Sequence, residues 1–203
     1  YERHMPALLQ PLARPAPTPP TDAAGRPAAT AEWVRLRESW SEACGQVVEV
    51  LSLCVQQHGH RIKYFALRHK VIDKVAALLR QRDKVLALSA LRFLRQCIGA
   101  DDFYGRYMAK NDLLGDVAKL LELHVRRDNL INSAVLELIE FIRQKNMRGL
   151  IRYFVSRHAG VFRHVTYVDT FRLLLIRHEE NEAADMAARA RGSDARAGGR
   201  GDG

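Results

Sequence analysis

Residues 85–99 read VLALSALRFLRQCIG, and residues 129–143 read NLINSAVLELIEFIR. Each places Ser-Ala ahead of an apolar helix, Ser89-Ala90 in the first stretch and Ser133-Ala134 in the second, an offset of 44. In the first, Leu86, Ala90, Leu91, Leu94 and Ile98 recur at three- and four-residue spacing, the pattern of one buried helix face. A chain that writes the same amphipathic helix twice is making layers, because neither copy can bury its apolar face alone.

Outward from that pair the repetition continues. At an offset of 42, Val75 aligns with Val117, Ile72 with Leu114, Ala76 with Ala118, Leu78 with Leu120 and Leu79 with Leu121. Further upstream, Phe65 aligns with Tyr107 and Arg68 with Lys110. Past a loop two residues longer the offset becomes 44, pairing Leu86 with Leu130 and Leu94 with Leu138. Gly45 lies 44 residues before Ser89, and small residues at 45, 89 and 133 predict a close approach of successive long helices. Helices are predicted over Trp33–Gln57, Arg61–His69, Val71–Gln81, Lys84–Ile98, Asp102–Lys110, Leu113–His124, Asn129–Gln144, Met147–His158 and Thr166–His178. No strand alternation interrupts them. A period of 42–44 with a short, a medium and a long helix per unit predicts an all-α, armadillo/HEAT-like helical repeat, an α-solenoid of about three repeats.

The ends differ from the middle. All seven prolines lie in the first 27 residues and five of the thirteen glycines in residues 192–203. Residues 1–30 read as a short helix end followed by a Pro-rich linker. Residues 31–180 read as the helical domain and 181–203 as a disordered Gly/Arg-rich tail. The opening on Tyr1 and the Gly/Arg-rich close lead us to expect a piece of a longer chain. Of the formal charge of +9, residues 1–30 carry +1 and residues 181–203 carry none, which leaves +8 on the helical domain. That excess favours acidic partners: an acidic or phosphorylated peptide, an acidic protein or nucleic acid. Cys44, Cys54 and Cys97 are an odd number inside apolar runs, which suggests buried thiols in a reducing compartment. No apolar run is long enough for a membrane span.

Chemistry-bearing motifs are sparse. Nucleophile-elbow, phosphate-loop, dinucleotide and H-E-x-x-H patterns do not occur. Cys54 and His58, four apart on one helix face, could supply two zinc ligands. Cys44 is about 15 Å along the helix from Cys54, too far to share that site. The Arg200-Gly201-Asp202 triplet and His178-Glu179-Glu180 carry no partner motif. Asp101-Asp102 reads as a helix cap. No catalytic residue, metal or cofactor is therefore expected, and the chain is expected not to be an enzyme. What remains is surface: Arg92 and Arg95, three apart with Gln96 beside them, and Glu137 and Glu140, three apart on the next long helix. Arginine pairs read carboxylates and phosphates. An ion pair between repeats, of the Arg95–Glu140 type, is the competing use.

The stretches VEVLSLCVQQHGHRIKYFALRHKVIDKVAALL, LALSALRFLRQCIGADDFYGRYMAKNDLL, NLINSAVLELIEFIR and YVDTF, in that order, resemble the conserved central domain of the SMEK family. This family is regulatory subunit 3 of protein phosphatase 4, also called the Falafel family. RHMPALLQPL resembles its domain start. The likeness runs from Arg3 to His178; residues 13–43 fall outside its pattern and 147–166 are loosely similar. The resemblance implies an armadillo-like, non-catalytic regulatory or scaffold subunit. It would assemble or target a Ser/Thr phosphatase 4 complex with the catalytic subunit and regulatory subunit 2. It implies the nucleus, and also the cytoplasm, with work in the DNA-damage response. Phosphoprotein substrates would come through an upstream domain of the EVH1 type, outside these residues. From charge alone the alternative is a basic helical-repeat module for nucleic acid or acidic peptides.

Overall fold

The computed structural model describes residues 3–22, 24–124 and 129–198, with side chains up to 191. Among them lie eleven α-helices, one 3-10 turn and no strand, so the chain is all-α. They are α1 (Met5–Leu8), α2 (Gln10–Ala13), α3 (Ala31–His58), α4 (His60–Arg68), α5 (Val71–Ala77) with the 3-10 turn Leu78–Arg80, and α6 (Lys84–Ala100). Then follow α7 (Asp102–Lys110), α8 (Gly115–His124), α9 (Leu130–Gln144), α10 (Arg148–Phe162) and α11 (Thr170–Gly198). The chain divides into two compact units, Tyr1–Val135 and Leu136–Gly203.

The first unit is the repeat. Its α4, α5 and α6 are rewritten as α7, α8 and α9, and burial follows the offset of 42. Ile72 and Leu114, Val75 and Val117, Ala76 and Ala118, and Leu79 and Leu121 are all buried. Each short helix ends in the same way: Lys70 after α4 and Asp112 after α7 take left-handed φ of 49° and 55°. A left-handed residue stops a helix and turns the chain toward the next. The offset of 44 holds for Leu91 with Val135 and Leu94 with Leu138, all buried.

The pair Leu86 and Leu130 departs from the pattern, since Leu86 is buried and Leu130 is 73% exposed. Caps explain it. Asp83 accepts the amides of Val85 and Leu86 to start α6, while Asn129 accepts those of Ile131 and Asn132 to start α9. The caps are 46 apart and the helix bodies 44, so Leu130 is the first residue of its helix and Leu86 the third of its own. The next residue of α9, Ile131, is buried.

Packing ties the layers together. Long helix α3 runs along α6, and α6 packs on α5, the 3-10 turn and α7. Tyr107 on α7 donates its hydroxyl to Asp73 on α5 at 2.6 Å. Lys63 on α4 meets Asp101, the cap of α7, at 2.6 Å and lies 4.6 Å from the Phe103 ring centre. As expected of a cap, Asp101 accepts the Phe103 amide.

The Pro-rich stretch expected to be a linker is anchored instead. Trp40 on α3 donates its indole N–H to the Pro11 carbonyl, and Trp33 donates to that of Pro17, both at 3.2 Å. Leu9 and Leu12 are buried. A turn at residues 22–26 closes through Asp22, which accepts the amides of Ala24 and Arg26, with Gly25 at φ +74°. The physical reason is that half-buried indoles need acceptors, and a proline segment still offers its carbonyls.

The second unit holds the end of α9 with α10 and α11. Phe162 stacks on Phe171 at 4.6 Å between ring centres, and Phe154 lies 6.1 Å from Phe162. Along the exposed side, Arg148 pairs with Asp185 at 2.8 Å, and Arg152 reaches Glu182 at 2.8 Å and Asp185 at 3.1 Å. Helix α11 runs past residue 180, the boundary expected for the helical domain, to Gly198, and these pairs hold its stretch at 182–185. Residues 199–203 of the expected disordered tail, with the Arg-Gly-Asp triplet, lie outside the described residues.

Candidate docking face

Between the long helices α3 and α6 the repeat leaves a groove of about 780 Å³. Its floor is made of small side chains, with Ser41, Gly45 and Ser52 from α3 and Ser89 from α6. Gly45 and Ser89 line this groove where α3 runs along α6, and a Cβ placed on Gly45 would meet nothing within 4 Å. Ser133 is exposed on α9. Two polar ties bracket the groove. Ser41 donates its hydroxyl to Asp83 at one end, and Gln96 donates its amide to the Ser52 carbonyl at 2.6 Å at the other.

Of the expected site residues, Arg92 and Gln96 line this groove, one turn apart on α6. Arg95 is half-buried and does not line it. Opposite Arg92 the α3 wall presents Glu38, Glu42 and Glu49. Those carboxylates were legible as a stripe, because spacings of four and seven residues return to one helix face. The groove therefore sets three glutamates against one arginine on a chain whose net charge is +9. A ligand there needs cations for the α3 wall and a carboxylate for Arg92.

Glu137 and Glu140 belong to the second unit. Glu137 is exposed on α9. Glu140 is held by Arg143 of its own helix, at 2.9 Å from Nε and 2.5 Å from Nη2, and by Gln144 at 2.9 Å. The Arg143 guanidinium holds the Glu140 carboxyl down to about 2. Arg143 is three positions along the same helix and so within reach of Glu140. Glu140 thus ties its own helix together.

Other expectations can be placed as well. Cys44 and Cys97 are buried and Cys54 is half-buried, with no disulfide. Burial pushes the Cys44 thiol up to about 11 and raises that of Cys97 further, so neither is a ready nucleophile. Among the described residues, no three His, Cys, Asp or Glu side chains come together so as to hold a metal ion, Cys54 and His58 included. No helix among them is long and apolar enough to cross a membrane.

Residues 1–180 match the sequence model of the family described as phosphatase 4 regulatory subunit 3. The match takes in residues 13–43, which the resemblance above left out. A Drosophila melanogaster protein named serine/threonine-protein phosphatase 4 regulatory subunit 3 is 36% identical over 141 residues, 69% of this chain and 14% of that protein. The Mus musculus protein PPP4R3C1 is 34% identical over 143 residues, covering 70% of this chain and 18% of its own length. Suppressor of Mek1 from Dictyostelium discoideum is 27% identical over 147 residues, 66% of this chain and 14% of its own. The chain thus spans less than a fifth of the length of these relatives. The family is named for a regulatory subunit, not a catalytic one. No solved structure matches the chain.

Proposed function

The chain belongs to the phosphatase 4 regulatory subunit 3 family, and from that premise we propose that it is a non-catalytic docking module that helps assemble or target a Ser/Thr phosphatase 4 complex. The catalytic subunit and regulatory subunit 2 are its partners in this reading, in the nucleus and also the cytoplasm, with the DNA-damage response as setting. Phosphoprotein substrates would be brought by parts of the longer protein outside these residues.

The observation that carries the reading is the α3–α6 groove, where Arg92 and Gln96 face Glu38, Glu42 and Glu49. Mixed charge across a groove built on two rigid helices suits protein recognition, since it selects a complementary partner and fixes its register. The +8 on the helical domain supports the second reading, a module for nucleic acid or acidic peptides.

The test is retention of purified phosphatase 4 catalytic subunit and regulatory subunit 2 on the immobilised 203-residue chain. Arg92→Glu and Glu42→Lys/Glu49→Lys variants run beside it, with their helix content checked by circular dichroism. Retention by wild type and loss in both variants is expected. Retention by all three keeps the function and moves the contact off this groove. Retention by none sinks the reading for these residues, and salt-sensitive capture of DNA in its place would establish the second.

A further inference from the structure

A second concavity, of about 570 Å³, lies where the 3-10 turn and the start of α6 meet α8 and the first turn of α9, with Asp83 bordering both it and the first groove. Its volume is in the range of roughly 300–1,000 Å³ typical of ligand clefts. The floor is apolar, built from Leu79, Ala87, Leu120 and Ile131, all buried. At its lip stands Leu123, 71% exposed, where a helix would ordinarily put a polar residue. An apolar lip over an apolar floor marks a place where another apolar group settles.

Four cations ring this cleft: Arg80, Arg82, Lys84 and Lys119. Among the described residues two carboxylates share it, and both are already engaged. Asp83 caps α6 and accepts from Ser41, while Asp116 lies 3.0 Å from Lys119 and 3.7 Å from Arg80. Among the described residues, neither Arg82 nor Lys84 has an ion-pair partner, and both are exposed. The cleft therefore combines a hydrophobic seat with uncompensated positive charge at its entrance.

We propose that this cleft binds an acidic segment of another protein that carries leucine-like side chains. The leucines would fill the floor beside Leu123, and flanking Glu or Asp would pair with Arg82 and Lys84. A protein is favoured over nucleic acid because the cleft has no Phe, Tyr or Trp among its lining residues, whereas single-stranded nucleic acid sites stack bases on such rings. The charge is also opposite to that of the α3–α6 groove, so the two concavities select different partners and this inference stands apart from the phosphatase reading.

The experiment is fluorescence anisotropy of the 203-residue chain with a fluorescein-labelled peptide of Glu and Leu, its leucines at i, i+4 and i+7. Companion probes replace every Leu by Ser, every Glu by Lys, or the peptide by a single-stranded DNA oligomer. Saturable binding of the Glu/Leu peptide alone is expected. It should weaken about tenfold in Arg82→Glu/Lys84→Glu and severalfold in Leu123→Ser, because charge and apolar anchors act together. All three positions are exposed and Lys84 is the first residue of α6, where Glu suits the helix, so these variants should keep the wild-type circular dichroism. Arg92→Glu, in the other groove, should bind as wild type. Equal binding of the Ser-substituted peptide would reduce the site to unspecific charge attraction and overturn the proposal. So would DNA binding lost in the same variants, or no saturable peptide binding by the folded chain.

Discussion

The two units hold themselves together in different ways. In the first, buried positions recur at offsets of 42 or 44 residues, as with Val75 and Val117 or Leu91 and Val135, and the polar ties Tyr107–Asp73 and Lys63–Asp101 join one layer to the next. In the second, the core is a cluster of Phe154, Phe162 and Phe171, and the outer side is a ladder of exposed ion pairs between α10 and α11. A repeat spreads its stability over many similar layers, while an aromatic cluster concentrates it in a few side chains. The contrast can be measured, because both tryptophans, Trp33 and Trp40, sit on α3 and report on the first unit alone.

The largest effect expected is that of Phe162→Ala, which should cost about 3–5 kcal/mol because the ring is buried and stacked. Leu94→Ala, at a fully buried layer position of α6, should cost about 2–5 kcal/mol. Denaturant unfolding followed by tryptophan fluorescence and by circular dichroism separates them. Leu94→Ala should move the fluorescence midpoint, and Phe162→Ala should move circular dichroism more than fluorescence. Equal displacement of both signals by Phe162→Ala would mean that the units unfold as one, and the contrast would then be geometric only.

How much of this could be read from the sequence follows the same division. Helix α7 was read to the residue, and α6 and α9 within two, because their apolar spacing and caps are local. The end of α11 was not legible. Its residues beyond 180 are Ala- and Arg-rich without an apolar face, and what holds them is pairing of Glu182 and Asp185 with arginines some thirty residues earlier. The anchoring of the Pro-rich stretch was equally hidden, since its indole contacts span 16 and 29 residues. At the α3–α6 groove, Arg92 and Gln96 share one face of α6 and the stripe of Glu38, Glu42 and Glu49 shows in the spacing of α3, but only the packing of α3 on α6 brings the two together. The pairing of Glu140 with Arg143 is local, three residues along one helix.

Smaller losses should come from the polar ties between layers. Asp101→Ala removes a cap and the contact to Lys63, and should cost about 1–2 kcal/mol. Asp101→Asn keeps a capping oxygen and should cost less, so the difference isolates the lysine contact. Tyr107→Phe, which leaves Asp73 half-exposed to water, should cost about 1 kcal/mol by thermal unfolding. Burial and the Asp73 carboxylate push the Tyr107 hydroxyl up to about 12, so it stays protonated and donating throughout the neutral range. If Tyr107→Phe proved as stable as wild type while Asp101→Ala did not, the layers would be joined through the short helices α4 and α7 alone.

The smallest expected effect is electrostatic, and it lies in the second unit. Glu140 ordinarily titrates at 4.5, and Arg143 holds it down to about 2 in the folded chain. A folded-state pKa below the unfolded one means stability that is fully present above 4.5 and lost as pH falls from there toward about 2. The pair keeps some solvent contact, with side chains 18% and 28% exposed, so its share should be less than about 1 kcal/mol. Glu140→Gln should therefore flatten the acid limb of the circular dichroism midpoint between about pH 5 and pH 3, and leave neutral stability nearly unchanged. Asp101, lowered chiefly by its bond to Lys63, should shape the acid limb of tryptophan fluorescence in the same sense, and Asp101→Asn should flatten that one. If Glu140→Gln flattened the fluorescence limb as much as the dichroism limb, acid unfolding would be one event, and ion pairs in the second unit would help to hold the repeat.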